Sequence, residues 1–359
     1  MHDARPRDAP VRIRASACRA LVAGTAVGLA LGFVACGDPR ENPAPTGPLA
    51  ETLADLGGGG GGGGSTLGVG WTEPRLVANL RGGSELIADA LGPNAGTVVE
   101  AAPLLRRRFG LDPLSAERLV SVGGSYAFGL RLDGVDGRRL RRALTRAGGR
   151  VRQAGPLELA DVGDYAVVPE PLLRAGVLGL GARDAFGRRL TVLAISAAAR
   201  ATLLGRGDRL FEQPIYRAAA DCLGDVVAAR MIPDGLLPIT VRRGGRALST
   251  ELGVDLVAVG VEAGGQEVLC VLGGTAERAG EIATALEASL GPDAREPLTG
   301  ESIPDLVRAV EVAAQSYDGV EMVRAKLTLA AGRSPGFLFG AISRGSLGEL
   351  ISGATKPAP

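Results

Sequence analysis

With 359 residues, 46% of them apolar, the chain is long enough to bury a sizeable core in one large domain or two ordinary ones. Its net charge is +1, and the first 35 residues contribute +3 through Arg5, Arg7, Arg12, Arg14 and Arg19 against Asp3 and Asp8, which leaves −2 for the rest. A near-neutral body with 3% aromatic residues offers neither the basic face nor the stacking platforms that nucleic acids need.

From the N-terminus, Ala20 to Ala35 is an uncharged run of 16 apolar or small residues behind Arg12, Arg14 and Arg19. A transmembrane helix needs about 20 such residues, whereas a basic start, a short apolar run and a small residue at its end suit an export signal. No Arg-Arg pair precedes the run, which favours the general export route, and a start at Val11 in place of Met1 makes a more compact signal. The run ends Phe33-Val34-Ala35-Cys36-Gly37. This resembles the lipobox of bacterial lipoproteins, with Phe33 where Leu is usual. The resemblance implies that residues 1–35 are a signal peptide, that cleavage falls before Cys36, and that the Cys36 thiolate takes a diacylglyceryl group. It places the chain on the outer face of the cell membrane, or at the outer membrane in an organism with two, because Gly37 is not the Asp that retains lipoproteins at the inner one.

Residues 36–70 are Pro-rich and then carry eight consecutive glycines, Gly57 to Gly64. Such composition predicts a flexible tether of about 35 residues, with a root-mean-square span of roughly 30–35 Å. Beyond it the patterning predicts an α+β body. Tyr126, Phe128, Leu130 and Leu132 alternate, as do Val323, Ala325, Leu327 and Leu329, which suits antiparallel strands. Leu252 to Val261 is apolar on both faces and reads as a central strand, paired across Gly264-Gly265 with Gln266 to Leu272. Val310 and Val312 flank Glu311, and Asp318-Gly319 can turn that strand into the next. Helices are expected over Gly137–Ala147, over Ala276–Leu290 with Thr275 as cap and Gly291-Pro292 as stop, and from Pro214 onward, burying Ile215, Ala218, Ala219 and Cys222. The expected architecture is two related halves, 71–233 and 234–353, each a mainly antiparallel sheet with helices packed on one face, then a tail over 354–359.

Two stretches carry a second resemblance. Phe109-Gly-Leu-Asp-Pro-Leu114 precedes Gly123-Gly124 and the strand from Tyr126; Gly207-Asp-Arg-Leu-Phe-Glu-Gln-Pro-Ile-Tyr216 leads through a helix into Val226-Val-Ala-Ala-Arg-Met231. Over about residues 85–330 this layout resembles a bacterial secreted family of unknown function with duplicated sheet-and-helix halves. The resemblance implies no catalytic residues and no cofactor.

Direct signs of chemistry are sparse. His2 is the sole histidine and leaves with the signal, so Ser-His-Asp, Cys-His and His-Glu-x-x-His sites are excluded from the body. Neither Lys326 nor Lys356 sits in a phosphate-binding loop. Gly123-Gly-Ser-Tyr-Ala127 falls short of a nucleophile elbow, and Gly273 to Gly280 reads as a strand-to-helix turn. Asp133 with Asp136, and Asp161 with Asp164, are carboxylate pairs in turn-like contexts; they are the candidates for calcium binding or hydrolysis, against a plain role in turns. Seven arginines from Arg138 to Arg152 form either a solvated helix face or a patch for anionic lipid. With Cys18 removed and Cys36 lipidated, Cys222 and Cys270 remain, either as a disulfide or as buried thiols. The leading expectation is a non-enzymatic envelope lipoprotein that binds an envelope protein or an apolar ligand, or serves structurally, with no metal and no nucleic-acid partner. The alternative is a carboxylate-dependent hydrolase of envelope polysaccharide.

Overall fold

Runs such as Leu256–Val261, apolar at every position, can only be stable as strands covered on both sides, and the architecture follows from that demand. The computed structural model describes residues 44–58, 67–123, 128–135, 141–142, 145–146, 150–154, 157–161, 177–181, 190–194, 197–233 and 253–352. The fold is α+β. Its strands are β1 (Val69–Thr72), β2 (Arg118–Gly123), β3 (Phe128–Asp133), β4 (Arg150–Ala154), β5 (Leu157–Asp161), β6 (Val177–Gly181), β7 (Leu190–Ala194), β8 (Val226–Pro233), β9 (Leu256–Glu262), β10 (Glu267–Leu272), β11 (Val307–Tyr317) and β12 (Val320–Leu329). Its helices are α1 (Pro48–Asp55), α2 (Pro74–Val77), α3 (Gly83–Leu91), α4 (Pro93–Glu100), α5 (Ala102–Phe109), α6 (Ala197–Leu203), α7 (Pro214–Leu223), α8 (Ala276–Ser289), α9 (Ile303–Leu306), α10 (Phe337–Arg344) and α11 (Leu347–Ser352).

The strands form one sheet in the order β11-β12-β10-β9-β8-β1-β2-β3-β7-β6-β5-β4, antiparallel at each pairing. Alternate residues feed two separate cores. Val257, Val259, Leu269 and Val271 face α3, α4, α8, α10 and α11. Leu256, Ala258, Val268, Trp71 and Met231 face α1, α6 and α7.

Local signals account for much of this. Asp318 (φ 50°) and Gly319 (φ 78°) make the two-residue turn from β11 to β12, where both residues need the left-handed region. The Thr275 hydroxyl accepts from the Arg278 amide at 3.2 Å and starts α8, which buries Ala279, Ile282 and Leu286. Pro214 opens α7, and Ala218, Ala219 and Cys222 are buried as their spacing demands; Ile215 is only half-buried, while Tyr216 is fully buried. The strand expected from Tyr126 begins at Phe128, and Tyr126 lies outside the described residues.

Three expectations need correction. Helices lie on both faces of the sheet, not on one, because the middle strands are apolar on both sides. The sheet runs unbroken past residue 233, since β8 pairs with β1 on one side and β9 on the other. The tether does not extend over 36–70. Residues 48–55 are α1, whose Leu49 and Leu53, with the following Leu56, are buried, and the Trp71 indole N–H donates to the Thr52 hydroxyl at 3.1 Å. The first two glycines of the run are also bound: the Gly57 amide donates to the Thr202 carbonyl at 2.8 Å, and a Cβ there would lie 1.9 Å from the Arg206 carbonyl oxygen. The chain returns at Leu67, whose carbonyl accepts from the Tyr216 hydroxyl at 2.6 Å.

Candidate ligand-binding cleft

Within the run Val226–Pro233, Arg230 is the only charged residue, on a strand flanked by neighbours on both sides. In register it stands beside Gly70 of β1 and Val259 of β9. Its side chain passes beneath the corner between α3 and α4. That corner comes close because Gly70 has no side chain: a Cβ there would lie 2.4 Å from Ser121 Oγ and 2.5 Å from the Ala90 carbonyl oxygen. The Ser121 hydroxyl donates to the Leu91 carbonyl at 2.7 Å and pins the end of α3 to β2. Gly92 (φ 83°) then turns the chain into α4, and its absent Cβ would sit 3.4 Å from Arg230 Nη2. Between these parts lies a cleft of about 90 Å³, lined by Gly68, Gly70, Pro93, Ala95, Gly123 and Arg230 among others.

The cleft is electrostatically unbalanced. Arg230 is half-buried, and among the described residues its one hydrogen bond runs from Nη1 to the Asp89 carbonyl at 3.4 Å. No described carboxylate lies within ion-pair distance of it. Burial lowers the guanidinium pKa from its ordinary value, against the pull of the Asp89 charge, and burial likewise raises the Asp89 carboxyl, against Arg230. An arginine stays protonated all the same, so the cleft holds a positive charge whose counter-charge, Asp89, lies beyond ion-pair distance.

A second cleft, of about 420 Å³, is lined by Arg81, Arg333, Arg344, Glu296 and Glu301. Its charges answer one another: Arg333 pairs with Glu301, Arg344 lies 3.5 Å from Glu296, and Arg81 donates to the Gly332 carbonyl.

The candidates read from the sequence are not brought together. Cys36, Asp136 and Asp164 lie outside the described residues, as does the side chain of Asp161 in β5. Asp133 is buried and bound by Arg131, Nε to Oδ1 at 2.6 Å, and the same guanidinium reaches Asp55 of α1 at 3.4 Å. It is a structural counter-charge at the end of β3, where a plain role in a turn was the favoured expectation. Cys222 of α7 and Cys270 of β10 are joined by a disulfide with Cα atoms 6.2 Å apart. Closing a loop of 48 residues contributes about 4 kcal/mol by chain entropy alone. Of the arginine series, Arg141, Arg142 and Arg146 are helical and exposed. Gly273 and Gly274, both with positive φ, form the turn from β10 into α8. In Gly123 to Ala127 only Gly123 is described.

Arg230 was missed, although its signal was present. A lone charge inside an otherwise apolar central strand is costly and asks for a partner. Comparison with known protein families, curated proteins and solved structures gives no match.

Proposed function

We propose that this chain is an exported lipoprotein of the bacterial envelope, held by lipid on Cys36, whose body binds a ligand and does no chemistry on it. The disulfide between Cys222 and Cys270 carries the reading, because such bonds persist in oxidising compartments outside the cytosol. The run Phe33-Val34-Ala35-Cys36 supplies the export and anchoring signal. Eleven residues of sequence, 37–47, separate Cys36 from the start of α1. Two described clefts, at Arg230 and at Arg81, are lined by charged and backbone polar groups and favour a ligand with a polar or charged end, while a third, of about 540 Å³, is lined by Leu80, Ile87 and Leu114 beside Arg75. The alternative of a carboxylate-dependent hydrolase loses support, since Arg131 occupies Asp133.

The two related halves also belong to this proposal. The series β9, β10, α8, β11, β12 lies as β9-β10-β12-β11 in the sheet. The series β2, β3, helical residues 141–142 and 145–146, β4, β5 lies as β2-β3-β5-β4, with the pair β7-β6 set between β3 and β5. β1 and β8 precede the two series and pair with each other at the centre. On this reading the halves divide before β8.

Cells fed labelled fatty acid decide the anchoring. The wild-type chain is expected to carry label and the Cys36→Ser chain none. Undiminished label on the variant overturns the lipoprotein reading.

A further inference from the structure

We infer that the cleft at Arg230 is a site for a small oxyanion, a single phosphate or carboxylate group. The inference deepens the binding reading above and does not depend on the lipid anchor.

Three observations converge. First, the guanidinium has five N–H donors in a planar fork, and among the described residues only one is used, on the long contact to the Asp89 carbonyl. A fork of this kind matches the paired oxygens of a carboxylate or phosphate. Second, the cavity beside it, of about 90 Å³, has room for a phosphate or carboxylate group against the guanidinium. Third, the walls are backbone where they need to be. Gly68, Gly70, Gly92 and Gly123 line the space, so peptide groups face the cavity without side chains to cover them. The first turn of α4 meets it from above, at Pro93 to Ala95.

The placement is hard to explain by folding alone. An apolar residue at 230 would complete the strand without leaving a half-buried charge, and replacing poorly paired buried charges by apolar residues is commonly neutral or stabilising. Other buried arginines in this protein do have carboxylate partners: Arg131 has Asp133 and Asp55, and Arg217 has Asp318. Arg230 differs from them in facing a cavity. Asp89 contributes a backbone carbonyl there, and its carboxylate acts on Arg230 only from beyond ion-pair distance.

The test is titration of the disulfide-intact chain from Ala44 onward with inorganic phosphate and, separately, with acetate, at ionic strength held constant with chloride. Calorimetry and thermal unfolding are the readouts. Saturable binding of one or both anions by the wild type is expected. Arg230→Met should bind at least tenfold more weakly while unfolding at the same or a higher temperature without ligand. Arg230→Lys keeps the charge but not the fork, and should fall between the two. The same chains mixed with phosphatidylglycerol and with phosphatidylcholine vesicles separate a lipid phosphate from a soluble one: Arg230-dependent binding to the anionic vesicles alone assigns a headgroup. No saturable binding of phosphate or acetate by the wild type overturns the inference. So does equal binding by wild type and Arg230→Met, and so does a large loss of stability in Arg230→Met with anion binding unchanged. None of these outcomes touches the fatty-acid result at Cys36.

Discussion

The N-terminal and C-terminal segments of the body do the same job on opposite faces of the sheet by different means. α1 closes one core by inserting Leu49, Leu53 and Leu56, with one neutral hydrogen bond from Trp71 to Thr52 and two long ion pairs, Glu51 with Arg118 and Asp55 with the buried Arg131. α10 and α11 close the other core with Leu338, Phe339, Ile342, Leu347 and Leu350, but they are fastened by carboxylates. Glu267, the first residue of β10, accepts from the amides of Gly336, Phe337 and Leu338 at 2.6–2.8 Å and so caps the start of α10. Glu296 accepts from the Leu298 amide at 2.9 Å and from the Ser346 hydroxyl at 2.7 Å, just ahead of α11. One closure adds long ion pairs to apolar area, the other adds buried carboxylates that accept from backbone amides. The difference predicts that mutation and pH will separate them.

The largest effect should come from removing α1. A chain beginning at Leu67 loses three buried leucines, worth on the order of 5–8 kcal/mol together, and strips the partner from the buried Trp71 indole. In urea denaturation it should unfold at a far lower midpoint than a chain beginning at Ala44, or fail to fold. Equal midpoints for the two chains would show that α1 closes nothing.

A smaller loss is expected at the other closure. Glu267→Ala leaves three helix-start amides without their acceptor in a buried position and should cost about 3 kcal/mol in equilibrium unfolding. Hydrogen exchange should quicken in α10 and α11 and hold steady in α1. Acceleration spread evenly over both faces would break the distinction between the closures.

The smallest and most specific effect concerns pH. Burial raises the Glu267 carboxyl above its ordinary value of 4.5, against the three amides that favour its charged form. Its contribution is thus fully present below that value and is lost as pH rises through the raised pKa. Burial also works to raise Glu296, but the Thr299 amide, the Ser346 hydroxyl and Arg344 outweigh it and hold that carboxyl below 4.5. Its contribution is present above the ordinary value and is lost as pH falls. The advantage of wild type over Glu267→Gln should shrink with rising pH, and the advantage over Glu296→Gln should grow. Thermal unfolding from pH 3 to 8 reads both, and parallel profiles would contradict the two opposite shifts.

What could be read early was local. The periodicity of α8 and its Thr275 cap, Pro214 at the head of α7, the Asp318-Gly319 turn and the doubly apolar run of β9 are each written within a few residues. α1 was not legible. Eight residues between prolines and glycines cannot form a stable helix alone, and this one owes its existence to the sheet beneath it. The Arg230 cleft was half legible: the misplaced charge was visible, but its meaning depended on Gly70 and on where the corner of α3 and α4 would fall.

The amino-acid sequence by itself determined β3, the run from β9 to β12 with its turns, and the helices α7 and α8. Those are properties of composition and of neighbours along the chain. Only the tertiary structure decided that the strands form one sheet, that helices lie on both faces, that a stretch of apparent tether is core, and that Arg131 and Arg230 meet such different fates. Each of these turns on residues far apart in sequence brought together by pairing and packing: Asp55 with Arg131 across 76 positions, Asp89 with Arg230 across 141. Side-chain periodicity says which way a residue points, and it takes the assembled sheet to say what stands opposite.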